Sequence, residues 1–204
     1  MFIMKLFQAP EVYAPLAVIL IFSICAHELM HAWVALTQGD DTAARAGHLT
    51  LNPLKQMGWL SLVMFAFFGI AWGQVPVDPT RMRKRWSQPL TAAAGPLTNL
   101  GLFLIFVWLG SLVKNPQPGL ILIYAGAMNL ALCLLNLLPL PGLDGAVIGT
   151  WLFPRFRLSN SEFAKGTYLV GIVLIFAFFS QVMRFVFMLA WQLAQVFGFD
   201  TGAR

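Results

Sequence analysis

Residues Ser23 to Leu36 read SICAHELMHAWVAL: two histidines and a glutamate inside a run that otherwise has the composition of a membrane-spanning helix. An ionisable side chain at mid-bilayer costs about 2.5 to 3.5 kcal/mol on insertion scales, so such residues point to function by default. On a helix, His27 and His31 stand one turn apart and within about 40° of each other, so both imidazoles can reach one metal ion. Glu28 projects from the same half of the helix. This is the H-E-x-x-H pattern, in which the histidines bind zinc and the glutamate is the general base toward the water that the metal activates. The competing reading, two helical histidines bonded to neighbouring helices, accounts less well for the glutamate between them.

The rest of the chain has the same apolar character. It has 204 residues, 59% of them hydrophobic and 10% charged, and a mean hydropathy of +0.75, which excludes an ordinary soluble domain. At about 20 apolar residues per span, a single integral-membrane domain over residues 1–204 accounts for the length. Its catalytic core is expected at about 13–154 and its C-terminal helices at about 167–197. The formal net charge of +5 comes from short clusters between apolar runs, which record orientation and contact with anionic headgroups of the lipid bilayer rather than nucleic acid. Cys25 and Cys133 fall in apolar segments and read as small buried hydrophobes. The N-terminal run is too long for a signal core and has no small-residue cleavage site, so it is expected to stay as a first helix.

Hydrophobic elements are expected at about Tyr13 to Leu36, Trp59 to Trp72, Pro89 to Val113, and from Leu120 into NLLPLPGLDG (Asn136 to Gly145). The last is expected over about Thr167 to Phe197, read as two helices joined at SQVMR (Ser180 to Arg184). The fold class is therefore an all-α polytopic membrane protein with about five to six transmembrane helices. Trp59 to Trp72 makes only about 21 Å of helix against a hydrocarbon core of about 30 Å, and is expected to re-enter rather than span. One face then collects Arg45, Lys55, Arg81, Arg83, Lys84, Arg85, Arg155, Arg157 and Lys165. The other face keeps Lys5 and Lys114, so the basic face is cytoplasmic.

Catalytic zinc keeps three protein ligands and an open position. Downstream glutamate is limited to Glu162, in a polar loop, which leaves His48, Asp40, Asp41, Asp78, Asp144 and Asp200. Asp144 stands out because it ends LLPLPGLDG, where Pro139, Pro141 and Gly142 cannot continue a helix. Broken backbone at membrane depth is tolerated where it is buried or lines a water-filled cavity. The other reading of Asp144 is a helix cap.

HELMH in a membrane helix, followed by NLLPLPGLDG, resembles the site-2 protease family of intramembrane zinc metalloproteases (peptidase M50 type). GHLTLNPLK (Gly47 to Lys55) and AGPLTNL (Ala94 to Leu100) resemble its short subgroup without PDZ or CBS domains. The resemblance covers about Pro15 to Pro154. It implies one Zn2+ per chain held by His27, His31 and Asp144, with Glu28 as catalytic base. Asn136 falls on the family's asparagine, thought to hold the substrate or the developing oxyanion; read from the residues alone, it could equally tie broken helix ends together. His48 and Asn52 are expected to support the substrate, His48 at a position where relatives carry a basic residue; a surface role is the alternative for His48. LNPLKQMGWLS departs from the usual LNPLKHIDPLG, which bears on the shape of the substrate approach.

The activity implied is zinc-dependent endopeptidase cleavage within or near a transmembrane segment of a membrane-protein substrate. The expected setting is a bacterial-type plasma (inner) membrane, multi-pass, with the active site toward the cytoplasm. The segment from Ala46 to Val77, with edge-strand character at HLTL (His48 to Leu51), is expected to pair with the extended substrate by strand addition. The alternatives are a metal-binding membrane transporter, which would need more intramembrane charge than Arg184, and a non-catalytic scaffold, against which Glu28 argues. A prenyl-protein peptidase of H-E-x-x-H type would need the missing downstream glutamate.

Overall fold

The computed structural model describes residue 4 and residues 7–154 and 162–199 of the chain. Those residues form helices and connections with no strand among them. In chain order the α-helices are α1 (Pro10–Thr37), α2 (Thr42–Arg45), α3 (Pro53–Gln56), α4 (Gly58–Phe68), α5 (Ser87–Leu112), α6 (Pro116–Asn136), α7 (Asp144–Leu152) and α8 (Glu162–Val196). Among the described residues, four segments are long and apolar enough to cross a membrane: Pro10–Thr37, Ser87–Leu112, Pro116–Asn136 and Ala177–Val196. Large apolar side chains such as Val18, Trp33, Leu97, Trp108, Phe185 and Met188 face outward from them. In water such a surface would be an aggregation liability, whereas in lipid it is the ordinary exterior. The protein is an all-α polytopic membrane protein.

Two expectations about the elements change. The C-terminal run is one continuous helix, not two. SQVMR contains neither Gly nor Pro, so nothing in it removes a backbone donor or favours a turn. At about 1.5 Å per residue the 35 residues of α8 extend well past one bilayer core. The second concerns HLTL: residues 48–51 form no strand, and the chain bends at Leu49 and Thr50.

The short apolar helix α4 has 11 residues, about 16 Å of rise. Gly69 ends it in the left-handed conformation (φ 75°), with its N–H returned to Phe65 O. The chain then doubles back without helix. Ser61 Oγ donates to Trp72 O (2.7 Å) and accepts from Trp72 N (2.9 Å), and Gln74 N donates to Gln56 O (3.0 Å), beside the start of α4. Residues 58–74 thus leave and return at one end of the bundle, as a re-entrant hairpin does. The whole connection from α1 to α5 closes there: Arg83 N donates to Gln38 O (3.0 Å) and Ser87 Oγ to Gln38 Oε1 (2.9 Å). Arg45, Lys55, Arg81, Arg83, Lys84 and Arg85 all sit on that connection, while Lys114 lies at the opposite turn between α5 and α6. Lys5, Arg155 and Arg157 lie outside the described residues.

Asp40 fastens this end. Fully buried just past α1, it accepts from Thr42 N (3.0 Å) and Thr42 Oγ1 (2.5 Å) through Oδ1, and from Asp78 N (2.7 Å) through Oδ2. Burial works against its ionisation. The Thr42 and Asp78 donors and the nearby Arg81 outweigh burial and hold the carboxyl below its ordinary value. A lowered folded-state pKa contributes stability above the unfolded value of about 3.9, which is lost as pH falls through the folded value. Asp40→Asn turns an N–H group toward donors and is expected to destabilise by about 1 to 3 kcal/mol at neutral pH. Thermal unfolding in detergent, compared at pH 7 and near pH 3, should show the gap between wild type and variant close at the acid end.

The bundle core lies between α5, α6 and α8, where Phe103, Val107, Ile123, Ala127, Val186 and Ala190 are buried together. Helices α5 and α6 approach closely through small residues, as membrane helices do. A Cβ at Gly110 would stand 2.8 Å from Gly119 O, and one at Gly119 would stand 2.9 Å from Gly110 O. Helix α1 packs on α5 and α6, and α7 packs on α5. The histidines of α1 and the start of α7 therefore both face the first turns of α5.

Candidate metal centre

His27 and His31 lie about 15 and 9 Å along α1 from its end at Thr37. They are buried, with 6% and 7% exposure, and Glu28 is buried with 8%. Their rings meet edge to face, with centroids 4.6 Å apart and planes at 80°. The two Nε2 atoms are 3.0 Å apart. Asp144 completes the group, with Oδ2 at 3.2 Å from His27 Nε2 and Oδ1 at 3.3 Å from His31 Nε2.

How Asp144 arrives there follows from the break between α6 and α7. After Asn136 the chain turns tightly, with Leu140 N bonded to Leu138 O (2.8 Å) and Leu143 N to Leu140 O (3.1 Å). Gly142 takes the positive φ (84°) that such a reversal needs. Helix α7 then starts at Asp144 itself, with Leu143 as its N-cap and no side-chain capping bond. The capping alternative therefore does not describe Asp144. Gly145 lies so close to the end of α6 that a Cβ there would overlap the carbonyl of Leu137.

Four lines of geometry test whether zinc fits these residues. Ligand atoms about 2.0 to 2.1 Å from a tetrahedral ion stand about 3.3 Å from one another; the two Nε2 atoms are 3.0 Å apart, each faces a different oxygen of Asp144 (Oδ2 at 3.2 Å from His27, Oδ1 at 3.3 Å from His31), and one donor atom from each residue lies within 4.8 Å of the other two. His31 Nδ1 lies 2.7 Å from Thr91 O; a carbonyl only accepts, so Nδ1 carries the proton and a neutral His31 turns the lone pair of Nε2 to the centre. Asp144 Oδ2 is buried and makes no hydrogen bond, an orphan whose cost a cation removes. Gly95 provides the space: a Cβ there would fall on the Nε2 atoms of His31 and His27. The residues fit the ion, and His27, His31 and Asp144 are the one such group found among the described residues.

The centre opens into a cavity of about 550 Å³ whose lining includes Glu28, Gly73, Thr91, Asn136 and Asp144. Gly73 lies against Glu28 so closely that a Cβ would overlap the Glu28 carboxylate. Asn136, half-buried at the end of α6, donates from Nδ2 to Leu132 O (3.1 Å) on its own helix. Among the described residues it makes no bond across the break. His48 and Asn52 do not line the cavity. His48 Nδ1 donates to Gln56 Oε1 (3.1 Å), while Gln56 Nε2 donates to His48 O (2.7 Å) and Thr50 O (2.6 Å). Asn52 caps α3 by accepting from Leu54 N (3.0 Å). Gln56, which they brace, holds Gln74 of the segment beside Glu28, and His48 is near enough for its charge to reach Glu28.

Asn99 and Thr91, which hold the outer nitrogens of the two histidines, were not singled out from the sequence, nor was the space at Gly95. Asn99 and Gly95 do lie in AGPLTNL, and a lone amide in an apolar helix was the available signal.

Comparison with known proteins gives the following. "Putative zinc metalloprotease YwhC" of Bacillus subtilis (strain 168) is 34% identical, over 78% of this chain and 78% of its own. "Putative zinc metalloprotease Rip2" of Mycobacterium tuberculosis (strain ATCC 25618 / H37Rv) is 31% identical over 82% of this chain and 70% of its own. Rip2 of Mycolicibacterium smegmatis is 30% identical over 76% of this chain, which spans 64% of that protein. No family model matches the chain, and no solved structure matches it.

Proposed function

The chain belongs to the zinc metalloprotease family of YwhC and Rip2, and from that membership we propose that it is a site-2-type intramembrane endopeptidase of the short subgroup, cleaving membrane-protein substrates within or near a transmembrane segment. The observation that carries the reading is the meeting of His27, His31 and Asp144 beside Glu28, in a cavity set between apolar helices. The basic connection between α1 and α5 supports a cytoplasmic active site in a plasma membrane.

Zinc, one per chain, held by His27, His31 and Asp144, would supply a Lewis acid for the scissile carbonyl and lower the pKa of water toward neutrality. Glu28 takes the proton from the attacking water and passes it to the leaving amine as the C–N bond breaks. Asn136, in the cavity lining, would donate to the substrate carbonyl. A helical substrate must first unwind, because its amides are otherwise bonded within the helix.

The segment after α4, rather than HLTL, is suited to receive it. Trp72 N and Gln74 N are bonded on the side of α4, whereas Gly73 N, Val75 N and Val77 N have no partner among the described residues. That alternation is what a strand edge offers to an extended peptide.

The test is cleavage of a single-span membrane substrate by the purified protein in detergent, with the cut mapped by mass spectrometry. We expect a cut inside the span, lost on chelation and restored by zinc. Cleavage indifferent to chelation, or confined to soluble loops, would overturn the proposal.

A further inference from the structure

His31 is oriented by a backbone carbonyl, but His27 is oriented by a side chain. Its Nδ1 lies 2.6 Å from Asn99 Oδ1, and an amide could present either its oxygen or its nitrogen. What decides is a circuit of buried bonds. Ser23 Oγ donates to Ile19 O (2.8 Å). Asn129 Nδ2 donates one proton to Ala125 O (2.9 Å) and the other to Ser23 Oγ (2.9 Å). Its nitrogen is thereby committed, and Oδ1 is turned to α5, where it accepts from Asn99 Nδ2 at 3.3 Å. Asn99 must then show its oxygen to His27.

The circuit is anchored on two main-chain carbonyls, Ile19 O and Ala125 O, which accept only, and it ends on His27. Every proton in it consequently has one direction. Ser23 and His27 are one turn apart on α1, Asn99 is on α5 and Asn129 on α6, so the circuit leaves α1, crosses two helices and returns to α1. Ser23, Asn99 and Asn129 have no exposure at all. An amide reversed anywhere along it would bring like groups together where water cannot repair the loss.

We propose that Asn99 is a positioning residue for the metal centre: it holds the Nδ1–H tautomer of His27, with its own amide oriented by Asn129 and Ser23, so that Nε2 turns a lone pair to the ion. The inference rests on the metalloprotease reading for the identity of the ion, but the tautomer itself does not. The circuit also joins three helices, and glue between helices is the rival role.

Two substitutions separate the roles. Asn99→Leu and Asn99→Asp both lose the donor to Asn129, and so should lower the melting temperature of the metal-free protein. Only Asn99→Leu loses the acceptor for His27. Zinc affinity, measured against a competing chelator, is expected to fall about 10- to 100-fold in Asn99→Leu and to stay near wild type in Asn99→Asp. The absorption spectrum with Co2+ in place of zinc should shift in the first variant alone. Equal affinities in Asn99→Leu and wild type, or equal losses in both variants, would overturn the proposal.

If Asn99→Leu does not fold, 15N-histidine spectra of the metal-free wild type at alkaline pH decide instead. We expect the proton of His27 on Nδ1; a proton on Nε2 would overturn the assignment. A wild type that binds no zinc while keeping Nδ1–H would count against the metalloprotease reading and leave the circuit standing.

Discussion

Glu28→Gln, purified in detergent, should bind zinc as wild type does and lose cleavage by about 10²- to 10⁴-fold. That is the range a positioned acid–base group contributes. Glu28 is outside the donor group formed by His27, His31 and Asp144, so replacing its carboxylate with an amide leaves the ligands untouched. Glutamine has nearly the same shape, which matters because Gly73 is packed against this side chain. What the amide cannot do is accept a proton from water and give it to an amine. Zinc content and the cleavage rate of one membrane substrate, measured on the same preparation, check the prediction. Zinc lost together with activity would move Glu28 from base to ligand or structural support, and activity retained would defeat the mechanism.

Gly95→Ala should give the opposite pattern: a protein that folds and takes up no zinc. A methyl at position 95 would fall on the Nε2 atoms of both histidines. The rings have little freedom to withdraw, because their Nδ1 atoms are held by Asn99 Oδ1 and Thr91 O. The helix itself should tolerate the change, since Ala is favoured over Gly in a helix interior by about 1 kcal/mol. We expect zinc affinity to fall by about 10²-fold or more, beyond the 10- to 100-fold typical of losing an outer support. The melting temperature of the metal-free form should fall modestly, because the overlap with the held rings outweighs the gain in helix propensity. The two readings together are the check. Wild-type affinity in Gly95→Ala would mean that the ion does not lie where the donor atoms converge.

Much of this site is local in sequence. His27, Glu28 and His31 span little more than one turn, so helical periodicity alone brings them to one side of α1. Asp144 was reachable because prolines and a glycine in a membrane segment leave broken backbone, and a carboxylate beside it needs a reason. Where local sequence decides less, the governing contacts are distant. His48 and Asn52 sit in a polar loop that offers no way to judge its distance from the cavity, and the structure has them bracing Gln56 and capping α3. HLTL has strand-like composition, but Gln56 draws the carbonyls of His48 and Thr50 to itself. The C-terminal run was divided at a polar pentapeptide that contains no helix breaker, and polarity alone does not end a helix.

By itself the sequence determined the solvent and the chemistry of this protein. Its apolar runs require a membrane, its H-E-x-x-H turn requires a cation or an equivalent partner, and its broken segment marks where a further ligand can stand. These follow because burial cost and helical spacing act over a few residues. Only the tertiary structure decided that Asp144 arrives within 3.3 Å of residues more than a hundred positions earlier. The same holds for the space that Gly95 leaves for an ion, and for the pairing of Ser23, Asn99 and Asn129 into one circuit behind His27. Each depends on how three helices pack, and the packing is set by small-residue contacts such as Gly110 with Gly119, whose partners no local pattern names.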